Sequence, residues 1–140
     1  HKIEPVERHG EEPEVICCEN WQEEQAVIVD KISDFVDNAS ATLGILCKTI
    51  RQARELYEAL SGRYPVYLLE ADSTKFANGI TITTILMSKG LEFDEVIIPH
   101  VNAETYTTDY DRGLLYVACT RAMYKMTLSC HGERSKFLNF

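Results

Sequence analysis

Apolar residues fall into short runs separated by polar punctuation, and the spacing inside each run assigns an element. Glu14-Val15-Ile16-Cys17-Cys18 is a short apolar run that stops at Asn20-Trp21-Gln22-Glu23. There, Asn at a cap position followed three residues on by Glu signals a helix start. The pattern predicts a helix over Trp21–Asp37: Ile28, Ile32, Phe35 and Val36 recur at three- and four-residue spacing, while Glu23, Glu24, Asp30, Lys31 and Asp34 take the other, solvated side. Residues 42–47 (Thr42-Leu43-Gly44-Ile45-Leu46-Cys47) read as a buried strand. Thr49 followed by Gln52 opens a second helix that turns Ala53, Leu56 and Leu60 inward and stops at Gly62.

The second half continues the alternation. Residues 66–69 form a short run, followed by a polar loop through Asp72, Ser73, Thr74 and Asn78-Gly79, the β-branched run 80–85, and a further run at 96–99. A last helix is predicted over residues 111–121, and the Lys125-Met126-Thr127-Leu128-Ser129-Cys130 segment has strand composition. Continuous apolar runs interleaved with helices require a sheet covered on both faces, for which parallel pairing is the default. The predicted fold class is therefore α/β, a three-layer α/β/α sandwich with a mainly parallel sheet. Residues 1–13, with Pro5, Gly10 and Pro13, form an irregular lead-in to one domain over residues 14–140.

Composition narrows the picture in three ways. The longest apolar runs, about six residues, fall far short of a bilayer span, so no membrane partner is expected. The net charge of −8 is local: residues 1–40 hold eleven acids against three bases, and residues 41–140 hold eleven of each. That argues against a generic polyanion-binding surface but leaves room for a local basic groove. The five cysteines show no CxxC spacing and read as core thiols of a reduced compartment, hence a cytoplasmic location. His1, His9, His100 and His131 are scattered, with no Cys or acid at ligand spacing, so spacing yields no metal site. A chain that starts at His1 rather than Met reads as a piece of something longer.

Three clusters could carry chemistry at strand ends, where α/β sheets gather ligands. No GxxxxGK[ST] phosphate loop is present, so a nucleotide would need its phosphate cradle from another domain. In Thr84-Ile85-Leu86-Met87-Ser88-Lys89-Gly90-Leu91-Glu92-Phe93-Asp94, Gly90 admits close backbone approach, Lys89 offers a charge to phosphate and Glu92 can accept from sugar hydroxyls. An ordinary turn with a solvated Lys and Glu fits the same spacing and is the commoner use. In Arg112-Gly113-Leu114-Leu115-Tyr116-Val117-Ala118-Cys119-Thr120-Arg121-Ala122, helical spacing sets Arg121 on the inward stripe near the helix end. Its partner is either an internal carboxylate or helix carbonyl, or a phosphate delivered across an interface. Lys48, Thr49, Arg51 and Arg54, at the mouth of the second strand and its helix, could hold nucleic-acid phosphates or be solvated surface charge.

In this order the segments resemble the C-terminal RecA-like domain of UvrD/Rep-type superfamily 1 DNA helicases, over roughly residues 10–131. Ser88-Lys89-Gly90-Leu91-Glu92-Phe93 is similar to the family's fifth helicase motif, and Leu114-Leu115-Tyr116-Val117-Ala118-Cys119-Thr120-Arg121-Ala122 to its sixth. Ile45-Leu46-Cys47-Lys48-Thr49 with Gln52, Arg54 and Leu56 is similar to the segment that opens the domain's second strand and helix. The resemblance implies a RecA-like, P-loop NTPase-type fold without its own P-loop. It implies that ATP with Mg2+ lies between this domain and an N-terminal RecA-like domain of the same parent chain, which carries the Walker motifs. Arg121 would then be the arginine finger, with Lys89, Gly90 and Glu92 at the phosphates and ribose. Lys48, Thr49, Arg54, Thr84 and Ser88 would face single-stranded DNA, and the fragment alone would be inactive. Leu86 and Met87 stand where many relatives carry a His and a Ser. The short stretch from residue 70 to 79 resembles the HelD-like branch, which acts on RNA polymerase; that adds RNA polymerase as a partner, and a non-catalytic docking module as the alternative function.

Overall fold

The Asn20 side chain accepts the Glu23 N–H at 2.9 Å and starts α1, Trp21–Asp37, where the cap signal places it. Thr49 and Gln52 form a reciprocal capping box at the head of α2, Ile50–Leu60. The strands are β1 (Glu14–Cys18), β2 (Thr42–Cys47), β3 (Val66–Leu68), β4 (Gly79–Thr84), β5 (Phe93–Ile98) and β6 (Ala122–His131), with α3 over Asp109–Cys119 and single 3-10 turns at Leu86–Ser88 and Lys136–Leu138. The computed structural model describes residues 12–38, 40–71, 73 and 79–138. Nearly all of the expected lead-in, and Asp72, Thr74 and Asn78 of the expected polar loop, lie outside the described residues.

The strands form a six-stranded sheet in the order β1-β6-β5-β2-β4-β3, and each adjacent pair runs parallel. Because alternate strand residues point to opposite faces, the apolar runs feed two separate cores. On one face α1 and α2 bury Ile28, Ile32, Phe35, Ala53, Leu56 and Leu60 against Leu43, Ile45, Ile80 and Ile82. On the other, α3 buries Leu114, Leu115 and Ala118 against Leu46, Val96, Ile98, Met126 and Leu128. This is the three-layer α/β/α sandwich that the runs predict.

Three local expectations are corrected. Glu24, expected on the solvated side of α1, is fully buried, because it lies four residues before Ile28 on the same helical stripe. The last helix begins two residues early, at the Thr108–Asp111 capping box, and ends at Cys119 rather than Arg121. There the Thr120 hydroxyl donates to the Val117 carbonyl at 2.6 Å, and the Arg121 carbonyl accepts the Phe93 N–H at 2.8 Å. Arg121 therefore belongs to the turn into the sheet, not to a helical stripe. β5 starts at Phe93 rather than Val96, because the polar Asp94 and Glu95 hide its first residues: Asp94 accepts the Ala41 N–H at 2.7 Å, and Glu95 accepts from the Asn38 side-chain amide at 3.2 Å.

Candidate functional site

Two stretches meet at the start of β5 and β6. After β4 the chain crosses back along the sheet from its carboxyl end, pinned by buried Ser88, whose hydroxyl donates to the Ile85 carbonyl at 2.6 Å, and then by half-buried Leu91 and buried Phe93. Between those anchors Lys89 and Gly90 are exposed, and Gly90 holds φ +82, a left-handed conformation that favours glycine. A Cβ there would meet no heavy atom within 4 Å, so the backbone is open to close approach. Phe93 pairs with Ala122, which puts exposed Glu92 and half-buried Arg121 each one residue before the first rung of the β5–β6 ladder. The fifth-motif and sixth-motif candidates are thus joined by the Phe93-to-Arg121 backbone bond.

Arg121 is the unusual member. Its Nε is buried with no hydrogen-bond partner, and among the described residues it has no ion pair. A buried donor left without an acceptor costs about 1–3 kcal/mol, more when charged, and no group among the described residues relieves that cost. Of the two partners the sequence left open, an internal carboxylate is absent among the described residues.

The candidate nucleic-acid residues cluster at the other, carboxyl end of β2 and β4, where most have internal duties. Lys48 Nζ bonds Asp111 Oδ1 at 2.9 Å and the Thr105 carbonyl at 2.6 Å. Thr49 accepts the Gln52 N–H at 3.2 Å as the α2 cap, Thr84 Oγ1 accepts the Met87 N–H at 3.1 Å, and Ser88 is buried. Arg54 pairs with Glu70 at 2.6 Å, but its side chain is 61% exposed. An exposed pair of that kind is worth about 0–1 kcal/mol, so Arg54 can exchange Glu70 for a phosphate, whereas Lys48 cannot cheaply leave Asp111. The side chains exposed at this end include Leu86 and Met87.

Asp111 shows what Lys48 is for. Burial alone would raise the Asp111 pKa, but the Thr107 N–H, the Lys48 ammonium and the Thr108 N–H together lower it from 3.8 to about 2. A depressed carboxylate stabilises the fold fully above its ordinary value, and that contribution is lost as pH falls toward about 2. The shift corresponds to on the order of 2 kcal/mol. In a melting-temperature series on the acid side, the unsubstituted chain should fall more steeply below about pH 4 than Asp111→Asn. Parallel curves would exclude this role.

One cluster has no signature in sequence spacing. Buried Glu24 accepts the His100 backbone N–H and the Ser129 hydroxyl on Oε2, each at 2.7 Å, and its Oε1 lies 2.6 Å from His131 Nδ1. The His100 ring stacks on Trp21 with centroids 4.1 Å apart. Burial, chiefly, holds the His100 imidazole below its ordinary value; the Glu24 charge opposes this and His131 reinforces it. The three residues are separated widely in sequence and come together because β1, β5 and β6 are neighbours whose carboxyl ends face the first turn of α1.

Comparison with known proteins follows the same lines. The model of the UvrD-like helicase C-terminal domain matches residues 66–133, which include both candidate motifs. The crystal structure of the C-terminal domain of a possible DNA helicase from Lactobacillus plantarum WCFS1 superposes with TM-score 0.84 at 30% identity, covering 96% of this chain and 83% of that one. The arterivirus nonstructural protein 10 helicase, solved in complex with DNA, shares the fold at TM-score 0.55 and 15% identity, over 86% of this chain and 30% of its own. No curated protein matches the chain. The parallel α/β sandwich, the two motifs joined at the amino ends of β5 and β6 and the relative that aligns along nearly the whole chain agree: this chain belongs to the UvrD-like helicase C-terminal domain family.

Proposed function

We propose that this domain is the second RecA-like lobe of an ATP-dependent superfamily 1 DNA helicase or translocase, and that it completes an ATP site whose phosphate cradle lies in an N-terminal RecA-like lobe of the parent chain. The observation that carries this reading is the backbone bond that joins Arg121, whose Nε has no partner, to the stretch that holds the open, left-handed Gly90 turn. ATP fits the residues present: a triphosphate presented by the other lobe would meet the half-buried Arg121 guanidinium, Lys89 would add charge, and Glu92 would accept from the ribose hydroxyls. Mg2+ would be held with the phosphates by the other lobe. The chain has no Walker segment, so alone it should not turn over ATP.

Closure of the two lobes on ATP would couple hydrolysis to movement along single-stranded DNA at the carboxyl end of β2 and β4. Of the charged residues there, Arg54 and Arg51, both in exposed pairs, are free to exchange partners, whereas Lys48 is not. Arg54→Ala in the parent polypeptide should reduce the slope of log affinity against log salt by about 1, while Lys48→Ala should chiefly lower the melting temperature. An unchanged salt slope with Arg54→Ala would remove that residue from the DNA path. Nothing in the fold or the comparisons bears on RNA polymerase as a partner.

ATP turnover by the parent polypeptide carrying Arg121→Ala tests the main reading. Loss of turnover with nucleotide binding retained supports it, and turnover at the unsubstituted rate removes it.

A further inference from the structure

Glu24, His100 and His131 converge on the α1 face of the sheet, each offering one ligand-type atom within 4.8 Å of the others. They sit at the carboxyl ends of β5 and β6, while Arg121 precedes β6 at its opposite end. We propose that these three side chains form a binding site for a divalent transition-metal ion of the zinc type.

The donor set selects the class of ion. Two imidazoles and one carboxylate are the three protein ligands of open tetrahedral zinc sites, with a fourth position left for water. Calcium and magnesium prefer oxygen-only shells, and a soft-metal site would need thiolates. The carboxylate is also oriented as a ligand. Its Oε2 is fixed by the His100 N–H and the Ser129 hydroxyl, which leaves Oε1 directed at His131. Among the described residues no Lys or Arg pairs with this fully buried acid. The charge that faces it comes from His131 or from an ion.

A second feature lies in the backbone and ring of His100. His100 sits at φ +60, a left-handed conformation that a non-glycine residue adopts at a cost. Its ring is set by the stack on Trp21 at 4.1 Å and lies edge-on to the His131 ring at 5.7 Å. Strained backbone and a ring held by packing together aim the imidazole before any ligand arrives. Both His residues are partly exposed, so an ion has a route in from solvent, and it would clip the first turn of α1 to the ends of β5 and β6.

The other reading is a plain Glu24–His131 ion pair, and a competing thiol site exists on the opposite sheet face, where Cys17 and Cys130 Sγ are 2.9 Å apart. Chelator-treated chain should be titrated with Zn2+ by calorimetry and with Co2+ by visible absorption. The expected result is one ion per chain, with cobalt bands of a low-coordinate nitrogen and oxygen shell and a higher melting temperature with zinc. His131→Ala and His100→Asn, the latter chosen because Asn tolerates positive φ, should each weaken binding by more than roughly a hundredfold, beyond the loss that an outer-shell partner causes. Cys17→Ser should change nothing. Circular dichroism confirms that each variant is folded; if one is not, the other decides. Absence of stoichiometric binding, binding indifferent to the His variants, or a thiolate-to-cobalt charge-transfer band abolished by Cys17→Ser would each overturn the proposal. Because the readout is metal binding by this chain, it stands or falls separately from ATP turnover.

Discussion

Replacing Arg121 by Ala in the parent polypeptide should lower ATP turnover by roughly 10³- to 10⁵-fold while nucleotide affinity changes little, because a guanidinium aimed at the γ-phosphoryl group acts on charge that develops in the transition state. Arg121 can be spared by the fold: its Nε has no partner, it makes no ion pair among the described residues, and its backbone, not its side chain, holds Phe93. Removing the orphaned donor relieves its cost while truncating the half-buried side chain loses packing, and because the two oppose, the melting temperature should stay within a few degrees of the unsubstituted value. Arg121→Lys keeps a charge but not the planar fork, and should recover only part of the lost rate. If the domain were a docking module in which Arg121 merely supports the fold, the pattern would invert: melting would drop and turnover per folded molecule would survive. That inverted result would end the motor reading.

Where periodicity and caps spoke together, the sequence was legible. Asn20 with Glu23 and Thr49 with Gln52 placed both early helices, because a cap is a local hydrogen bond between near neighbours. The layered parallel fold followed from apolar runs too continuous for a one-sided sheet. Reading failed where residue type and position disagreed. Glu24 occupies the apolar stripe of α1, but its charge assigned it to water; the distant His100 N–H, Ser129 hydroxyl and His131 ring make its burial tolerable. Val117 and Ala118 precede Arg121 at helical spacing and so extend the expected helix to it, whereas the helix stops at Cys119 and the Arg121 carbonyl is taken by the distant Phe93 N–H. The cluster of Glu24, His100 and His131 is likewise a product of strand order, which spacing along the chain cannot express.

Gly44 was equally silent, and it carries the second large expectation. It lies in the middle of β2 and is buried, and a Cβ built on it would stand 2.6 to 2.8 Å from three atoms of the Phe93 ring. Its φ is not positive, so the backbone does not need glycine; the ring needs the space. Strand propensity alone would favour Gly44→Val by up to about 1 kcal/mol, because glycine is a poor strand former. Overpacking opposes this more strongly, since the buried Phe93 ring would have to shift to make room, and should cost about 3 kcal/mol, lowering the melting temperature by about 10 °C. The sign of the change therefore decides between the two effects. Trimming the ring should rescue it: Gly44→Val with Phe93→Leu should be less destabilised than the sum of the single changes, with a coupling of about 1–2 kcal/mol in a double-mutant cycle. The strain also reaches the site, because the Phe93 N–H holds the Arg121 carbonyl at 2.8 Å, so a displaced Phe93 drags the start of β6 with it. Gly44→Val should accordingly reduce ATP turnover per folded molecule of the parent polypeptide. A variant as stable as the unsubstituted chain would mean that the ring swings aside without cost, and that the frame joining the two motifs does not depend on this contact.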